Sequence, residues 1–225
     1  MNKTMRLLLC CVFPFVLLCT GCGQVSVKQY YVLNYVPPIQ KKANEQPPYP
    51  VTLRIKDLDI EDAYARSQIV YRQSPYELRY YTYKLWAVKP DRMITDLVQK
   101  HIISANLVNR TIRRYDEGVA PNYELSGAIE ALEEYDSDQL WFAHLAMRLT
   151  LTRLSDGVVL YSERFDNRKK VYQLNAETVV QEMSVILEYI MNQANDKMRD
   201  VFSHEFGDAA VTVPGKDSLA EKKQE

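Results

Sequence analysis

Residues 139–154 read QLWFAHLAMRLTLTRL, and the order of side chains in that stretch decides the fold. Trp141, Ala143, Leu145, Met147, Leu149 and Leu151 fall on one face, while His144, Arg148, Thr150 and Thr152 fall on the other. A period of two over this length selects a strand with one face buried, although Leu, Ala and Met favour helices individually. A second long strand, Tyr123 to Tyr135, precedes it. After it comes Ser155-Asp156-Gly157, whose Asp-Gly pair accepts the positive dihedrals of a tight turn and sends the chain back through Val158 to Phe165. The product is a meander. Around its first hairpin lie Glu130, Glu133, Glu134, Asp136 and Asp138. They lack the fixed ligand spacing of a cation loop and are expected to form a solvated turn.

Working outward, Lys28 to Tyr35 (KQYYVLNY) is dense in aromatic and β-branched residues and reads as a strand. Val51, Leu53 and Ile55 alternate with Thr52, Arg54 and Lys56 in a strand from Val51 to Leu58. Further strands are expected at Gln68 to Arg72, Leu78 to Tyr83 and Thr111 to Tyr115. Alternation of this kind is typical of half-buried, antiparallel sheets. The period changes at Met93, Ile94, Leu97, Val98, His101, Ile102 and Ala105, an amphipathic helix with Pro90 in its first turn. A second helix runs from Ala176 to about Phe202, capped by Asn175, with a stripe of Val180, Met183, Leu187, Ile190, Ala194, Met198 and Val201. The expected fold is α+β: an antiparallel β-sheet with two main α-helices packed on one face, in a single domain over residues 28–205. Residues 36–50 carry Pro37, Pro38, Pro47, Pro48 and Pro50 and are expected to form an extended loop. Residues 206–225 are expected to be a disordered tail.

Of 225 residues, 47% are hydrophobic and 25% charged, with 28 Lys and Arg against 29 Asp and Glu. That balance excludes fibrous and polytopic membrane classes. The four cysteines, Cys10, Cys11, Cys19 and Cys22, all lie in the first 22 residues. There, Lys3 and Arg6 precede an apolar run from Leu7 to Leu18 that is too short to span a bilayer and is interrupted by Pro14. Residues 1–21 read as a signal peptide. Cys19-Thr20-Gly21-Cys22 resembles the bacterial lipobox, in which the thiol of the final cysteine receives diacylglycerol before cleavage. Cys22 is therefore the expected lipidation site and residues 22–27 a lipidated tether; several acyl chains hold a protein to a membrane essentially permanently. Loss of Lys3 and Arg6 would take the formal charge from −1 to −3, leaving no basic field for nucleic acid. Gly23 stands where Asp would signal inner-membrane retention, which favours the outer membrane. A tether of about six residues reaches about 20 Å, so the domain should sit close to the bilayer.

Catalytic signatures such as Gly-x-Ser-x-Gly, a phosphate loop or His-Glu-x-x-His do not occur. His101 lies on an apolar helix face and reads as a packed neutral histidine; with only His144 and His204 besides, no metal site is expected. Tyrosine is abundant, ten of 16 lying between Tyr30 and Tyr83, which suits core packing, a protein interface or a headgroup surface. Three functions stay open on this footing: a docking subunit, a stand-alone lipid carrier with Tyr and Met lining a cavity between sheet and long helix, and an anchored cell-wall hydrolase with paired carboxylates.

Three segments then stand out together: Tyr30-Tyr31-Val32-Leu33; Asp62-Ala63-Tyr64-Ala65-Arg66-Ser67-Gln68-Ile69-Val70-Tyr71-Arg72; and Leu85-Trp86-Ala87-Val88-Lys89-Pro90. In this order behind a lipobox they resemble the ABC-type transport auxiliary lipoproteins, over nearly the whole chain from Cys22 to Phe202. The resemblance implies a non-enzymatic, periplasm-facing lipoprotein of the outer membrane that needs no cofactor. Its implied partners are an inner-membrane ABC transporter and a mammalian-cell-entry (MCE) type protein that conveys phospholipid or other hydrophobic molecules. It admits a homo-oligomer and marks Tyr64, Arg66, Tyr71, Arg72 and Trp86 as motif positions that shape either the fold or a partner contact.

Overall fold

The strand read around Tyr123 is the spine of the molecule. The structure, a computed structural model, describes residues 26–38, 47–113, 118–137, 140–173 and 175–207. In chain order its elements are β1 (Gln29–Tyr31), β2 (Tyr49–Ile55), β3 (Asp59–Ile60), β4 (Gln68–Ser74), β5 (Glu77–Trp86), α1 (Pro90–Ala105), β6 (Val108–Ile112), β7 (Tyr123–Ser137), β8 (Leu140–Arg153), β9 (Val159–Val171) and α2 (Ala176–Phe206). The signal peptide, Cys22, the start of the tether, Asp138, Tyr115, residues 39–46 of the proline-rich segment and residues 208–225 lie outside the described residues.

Strands β7, β8 and β9 form the expected antiparallel meander, with Tyr123 opposite Arg153 and Trp141 opposite Val171 at its two ends. The second turn closes as read: Gly157 sits at φ +72°, and Arg153 N–H donates to Val158 O over 2.9 Å. Along its other edge β7 accepts three strands in succession, β2, β3 and β4, all parallel to it. Strand β6 joins β2 in parallel, β5 joins β4 antiparallel, and β1 joins β5 in parallel. The α+β single-domain reading holds, and the nine-stranded sheet is mixed rather than wholly antiparallel. Alternation reports a half-buried strand and not the direction of its neighbour. Strands reached only after the crossover through α1 enter the sheet parallel, because a hairpin is the short route to antiparallel pairing.

Boundaries moved where another partner competed for the backbone. The first strand stops at Tyr31 because the N–H groups of Leu33 and Asn34 turn to Met93 Sδ (3.2 Å) and Ser184 Oγ (3.1 Å) instead of continuing a ladder. Pro50 lies inside β2, not in the loop. It sits where the β2–β6 register skips between Tyr49 and Thr52, so its missing N–H costs no regular rung. The charged run Asp166–Lys170 continues β9 to Val171, an edge-strand composition that resists further pairing. Helix α2 runs a turn beyond Phe202 to Phe206, and its cap is the one read: Asn175 Oδ1 accepts from Thr178 N–H at 2.8 Å.

The two helices pack on one face of the sheet. Leu145, Met147, Leu149 and Leu151 are fully buried, as are Met183, Leu187, Ile190 and Ala194 of α2, all within one apolar cluster. Phe202 closes its far end between the rings of Tyr49 (5.5 Å) and Tyr123 (5.2 Å). At Gly127 the β7–β8 pair is so close that a Cβ would lie 2.1 Å from Arg148 O.

Candidate functional site

Alternation along β7 and β8 sends Leu132 and Leu145 into the helix-covered core and their neighbours Glu133 and His144 to the opposite face. That face is roofed by the motif segment. A turn in which Tyr64 and Ala65 N–H donate to Glu61 O (2.8 and 3.1 Å) folds Tyr64 down onto β7, and β4 brings Arg72 alongside it.

Glu133 becomes the hub, only 2% exposed. Tyr64 Oη donates to Glu133 Oε2 at 2.7 Å, Arg72 Nε reaches both carboxylate oxygens at 2.9 and 3.1 Å, and His144 Nδ1 lies 3.1 Å from Oε1. Arg72 also donates to Tyr64 Oη (3.3 Å) and Pro75 O (3.0 Å). His144 Nε2 lies 2.9 Å from Asp166 Oδ1 on β9, and Asp166 pairs with Arg164, which pairs in turn with Glu130. One polar ladder thus crosses from the motif segment to the edge strand.

Burial by itself raises the Glu133 carboxyl, but the hydrogen bonds from His144, Arg72 and Tyr64 and the Arg72 charge outweigh it and hold the group below the usual carboxylate range. Burial and then the bond to Glu133 push the Tyr64 phenol up to about 12. Asp166 is likewise held low: the contacts with His144 and Arg164 overcome its partial burial. On the other face, burial raises Glu134, which accepts from Tyr81 Oη at 3.0 Å. Glu133 and Glu134 are therefore not part of a solvated turn. They are among the most buried members of the acidic group because each has a dedicated tyrosine, and Glu133 an arginine as well.

The structure brings Tyr64 and Arg72 together and disperses the other motif residues. Arg66 lies with its guanidinium 4.0 Å over the Tyr80 ring, and the Tyr71 ring stacks at 4.5 Å on Tyr81. Trp86 is buried, and its backbone N–H donates to Ser67 O at 2.6 Å. Glu133, His144 and Asp166 were not singled out as partners in the sequence, since each sits in a strand far from the motif. The available signal was Arg72 and Tyr64 themselves, a cation and a phenol in one short segment.

Chemically the ladder is closed. Both nitrogens of His144 face carboxylates, so neither is placed to take a proton from a nucleophile. Among the described residues no group of three or more His, Cys, Asp or Glu is arranged to hold a metal ion. His101 is 1% exposed, and burial lowers its pKa to about 4, so it is neutral at pH 7; Tyr35 Oη lies 3.2 Å from its Nδ1. Two open depressions, of about 400 Å³ beside Tyr123 and Phe206 and about 570 Å³ beside Arg54 and Glu124, lie away from the ladder. No helix among the described residues is long and apolar enough to cross a membrane.

Comparison with protein families gives a match over residues 31–194 to the family described as the ABC-type transport auxiliary lipoprotein component. Among solved structures, a Xanthomonas campestris protein of the DUF330 family superposes with a TM-score of 0.69 at 17% identity, covering 79% of this chain and 98% of its own. An uncharacterized protein superposes at 0.57 with 13% identity, covering 79% and 99%. These likenesses show the fold. A comparison with curated proteins finds no match.

Proposed function

Because the chain belongs to the ABC-type transport auxiliary lipoprotein family, we propose that it is the outer-membrane-anchored, periplasm-facing docking subunit of an ABC/MCE-type transport system for phospholipid or other hydrophobic molecules. Its role is non-enzymatic. Cys22 carries the lipid anchor, and the partners are an MCE-domain protein and, through it, an inner-membrane ABC transporter. The family match over residues 31–194 carries this reading.

The packing supports docking over carriage. A carrier would hold its lipid between the sheet and α2, yet that space is filled by Met183, Leu187, Ile190, Met191, Met198 and Phe202, each with no exposed surface. Tyr64, Arg72 and Trp86 serve the fold, as members of the ladder and of the core. Arg66 and Tyr71, which are only partly buried, are the motif positions left for partner contact.

Membrane fractionation of wild type beside Cys22→Ala, followed by crosslinking and mass spectrometry of the wild-type fraction, tests this directly. The expected result is wild type in the outer membrane crosslinked to an MCE-domain protein, with the variant unprocessed or released. Wild type recovered soluble, or an outer-membrane fraction that crosslinks to no MCE or ABC component, would overturn it.

A further inference from the structure

The parallel pairing of β1 with β5 fixes the direction from which the chain enters the domain. Gln29 pairs with Lys84, so the residues before Gln29 run towards the start of β5 and the β4–β5 hairpin. Glu77, at that hairpin, is seven positions before Lys84, and Cys22 is seven positions before Gln29. At about 3.5 Å per residue both intervals span about 25 Å, so the seven positions from Cys22 to Gln29 are enough to reach the level of the hairpin tip.

That hairpin is one part of a continuous rim. Strand β4 ends beside the end of β7, β8 begins there, and β9 ends there, with Arg72 opposite Tyr135 and Trp141 opposite Val171. The rim carries the most exposed large aromatics among the described residues, Tyr76 at 98% and Tyr172 at 83%. Lys170 Nζ lies 5.4 Å over the Tyr172 ring, a pairing suited to an interface that is apolar on one side and wet on the other. Cations at this end are met by acids or rings: Arg79 pairs with Glu77 and Lys169 with Glu182, and the Arg168 guanidinium lies over the Tyr135 ring. The attraction such a rim offers is aromatic partition rather than a basic field.

We propose that this rim, led by Tyr76 and Tyr172, is the membrane-contacting end of the domain and rests in the headgroup layer of a zwitterionic phospholipid surface. The opposite end, where β9 begins at Val159 about 40 Å away along the strand, then faces the periplasm. This inference rests on the reading of Cys22 as the lipid anchor.

The test uses the full chain, isolated from membranes and reconstituted in phosphatidylcholine vesicles doped with a headgroup-spin-labelled phosphatidylcholine. Single substitutions Tyr76→Cys, Tyr172→Cys and Val159→Cys, all at exposed positions, carry a polarity-sensitive fluorophore, and unsubstituted protein serves as the background. Emission from positions 76 and 172 should be quenched several-fold more than from 159, with little change on adding salt. Equal quenching at all three positions, none at 76 and 172, or stronger quenching at 159 would overturn the proposal. The intact mass of the same samples reports acylation of Cys22, so a failed anchor reading shows in the mass while a failed orientation shows in the quenching pattern.

Discussion

Replacing Arg72 with Ala removes the guanidinium N–H that both oxygens of Glu133 share and leaves that carboxylate buried with only His144 and Tyr64. Removing one partner of a buried ion pair leaves the other charge uncompensated, which costs about 3 kcal/mol. The Arg72 side chain is 20% exposed and Glu133 2%, which places the pair far from the surface regime where such contacts contribute little. At a urea slope of about 2 kcal/mol/M, the midpoint should fall by about 1.5 M. Arg79→Ala, which breaks the exposed pair with Glu77, should leave the midpoint where it was.

The pH dependence supplies a sharper test, because the deficit of the variant should shrink on acidification. In wild type Glu133 is held below its unfolded pKa, so its contribution is fully present above that value and is lost as pH falls through the folded pKa. Without Arg72, its hydrogen bond and its charge no longer oppose burial, and the folded pKa rises from its wild-type position. The deficit is then largest at neutral pH, and mild acidification should recover part of the loss. Urea titrations of both proteins between pH 7 and pH 4 measure this. A midpoint shift near zero, or a variant whose deficit grows on acidification, would refute the assignment of Glu133 as a buried ionised hub.

Three other perturbations have defined outcomes. Gly127→Ala would drive a methyl against Arg148 O and should cost about 2 kcal/mol or more, seen as a lowered thermal midpoint. Asn175→Ala removes the cap on α2 and should cost about 1 kcal/mol in chemical denaturation, whereas Asn175→Asp should cost little. The imidazole resonances of His101 should titrate near its folded pKa of about 4. Because the unfolded histidine binds a proton near pH 6.5, this residue makes stability fall as pH drops from about 6.5 towards the folded value; an NMR titration midpoint near 6.5 would contradict its burial.

The meander and both helices were legible because their periodicities run for ten residues or more, long enough for a two-residue and a 3.6-residue period to separate. Strand β3 was not, since Asp59–Ile60 is too short to carry a pattern. Its place comes from pairing with Ala128 and Ile129 of β7, a long-range contact. The parallel order of β2, β3 and β4 escaped for a related reason: composition records how deeply a strand is buried, whereas direction depends on the path between strands.

The site was harder to read because its logic is partnership across distance. Glu133 and Glu134 follow Glu130 in a hairpin arm that a local reading assigns to solvent, and charge density is what solvated turns share with buried networks. The two are distinguished by a count of compensating donors: Tyr64, Arg72 and His144 for Glu133, Tyr81 for Glu134. All but His144 come from residues 64–81, so the motif segment and the acidic arm are two halves of one device, separated by α1 and β6 and legible only together. Tyr64 and Arg72 of the motif segment therefore hold that segment down on the sheet, which fixes where Arg66 and Tyr71 are presented. A partner surface built in this way depends on the ladder beneath it, so Arg72→Ala should disturb the presentation of Arg66 and Tyr71 even though Arg72 itself faces inward.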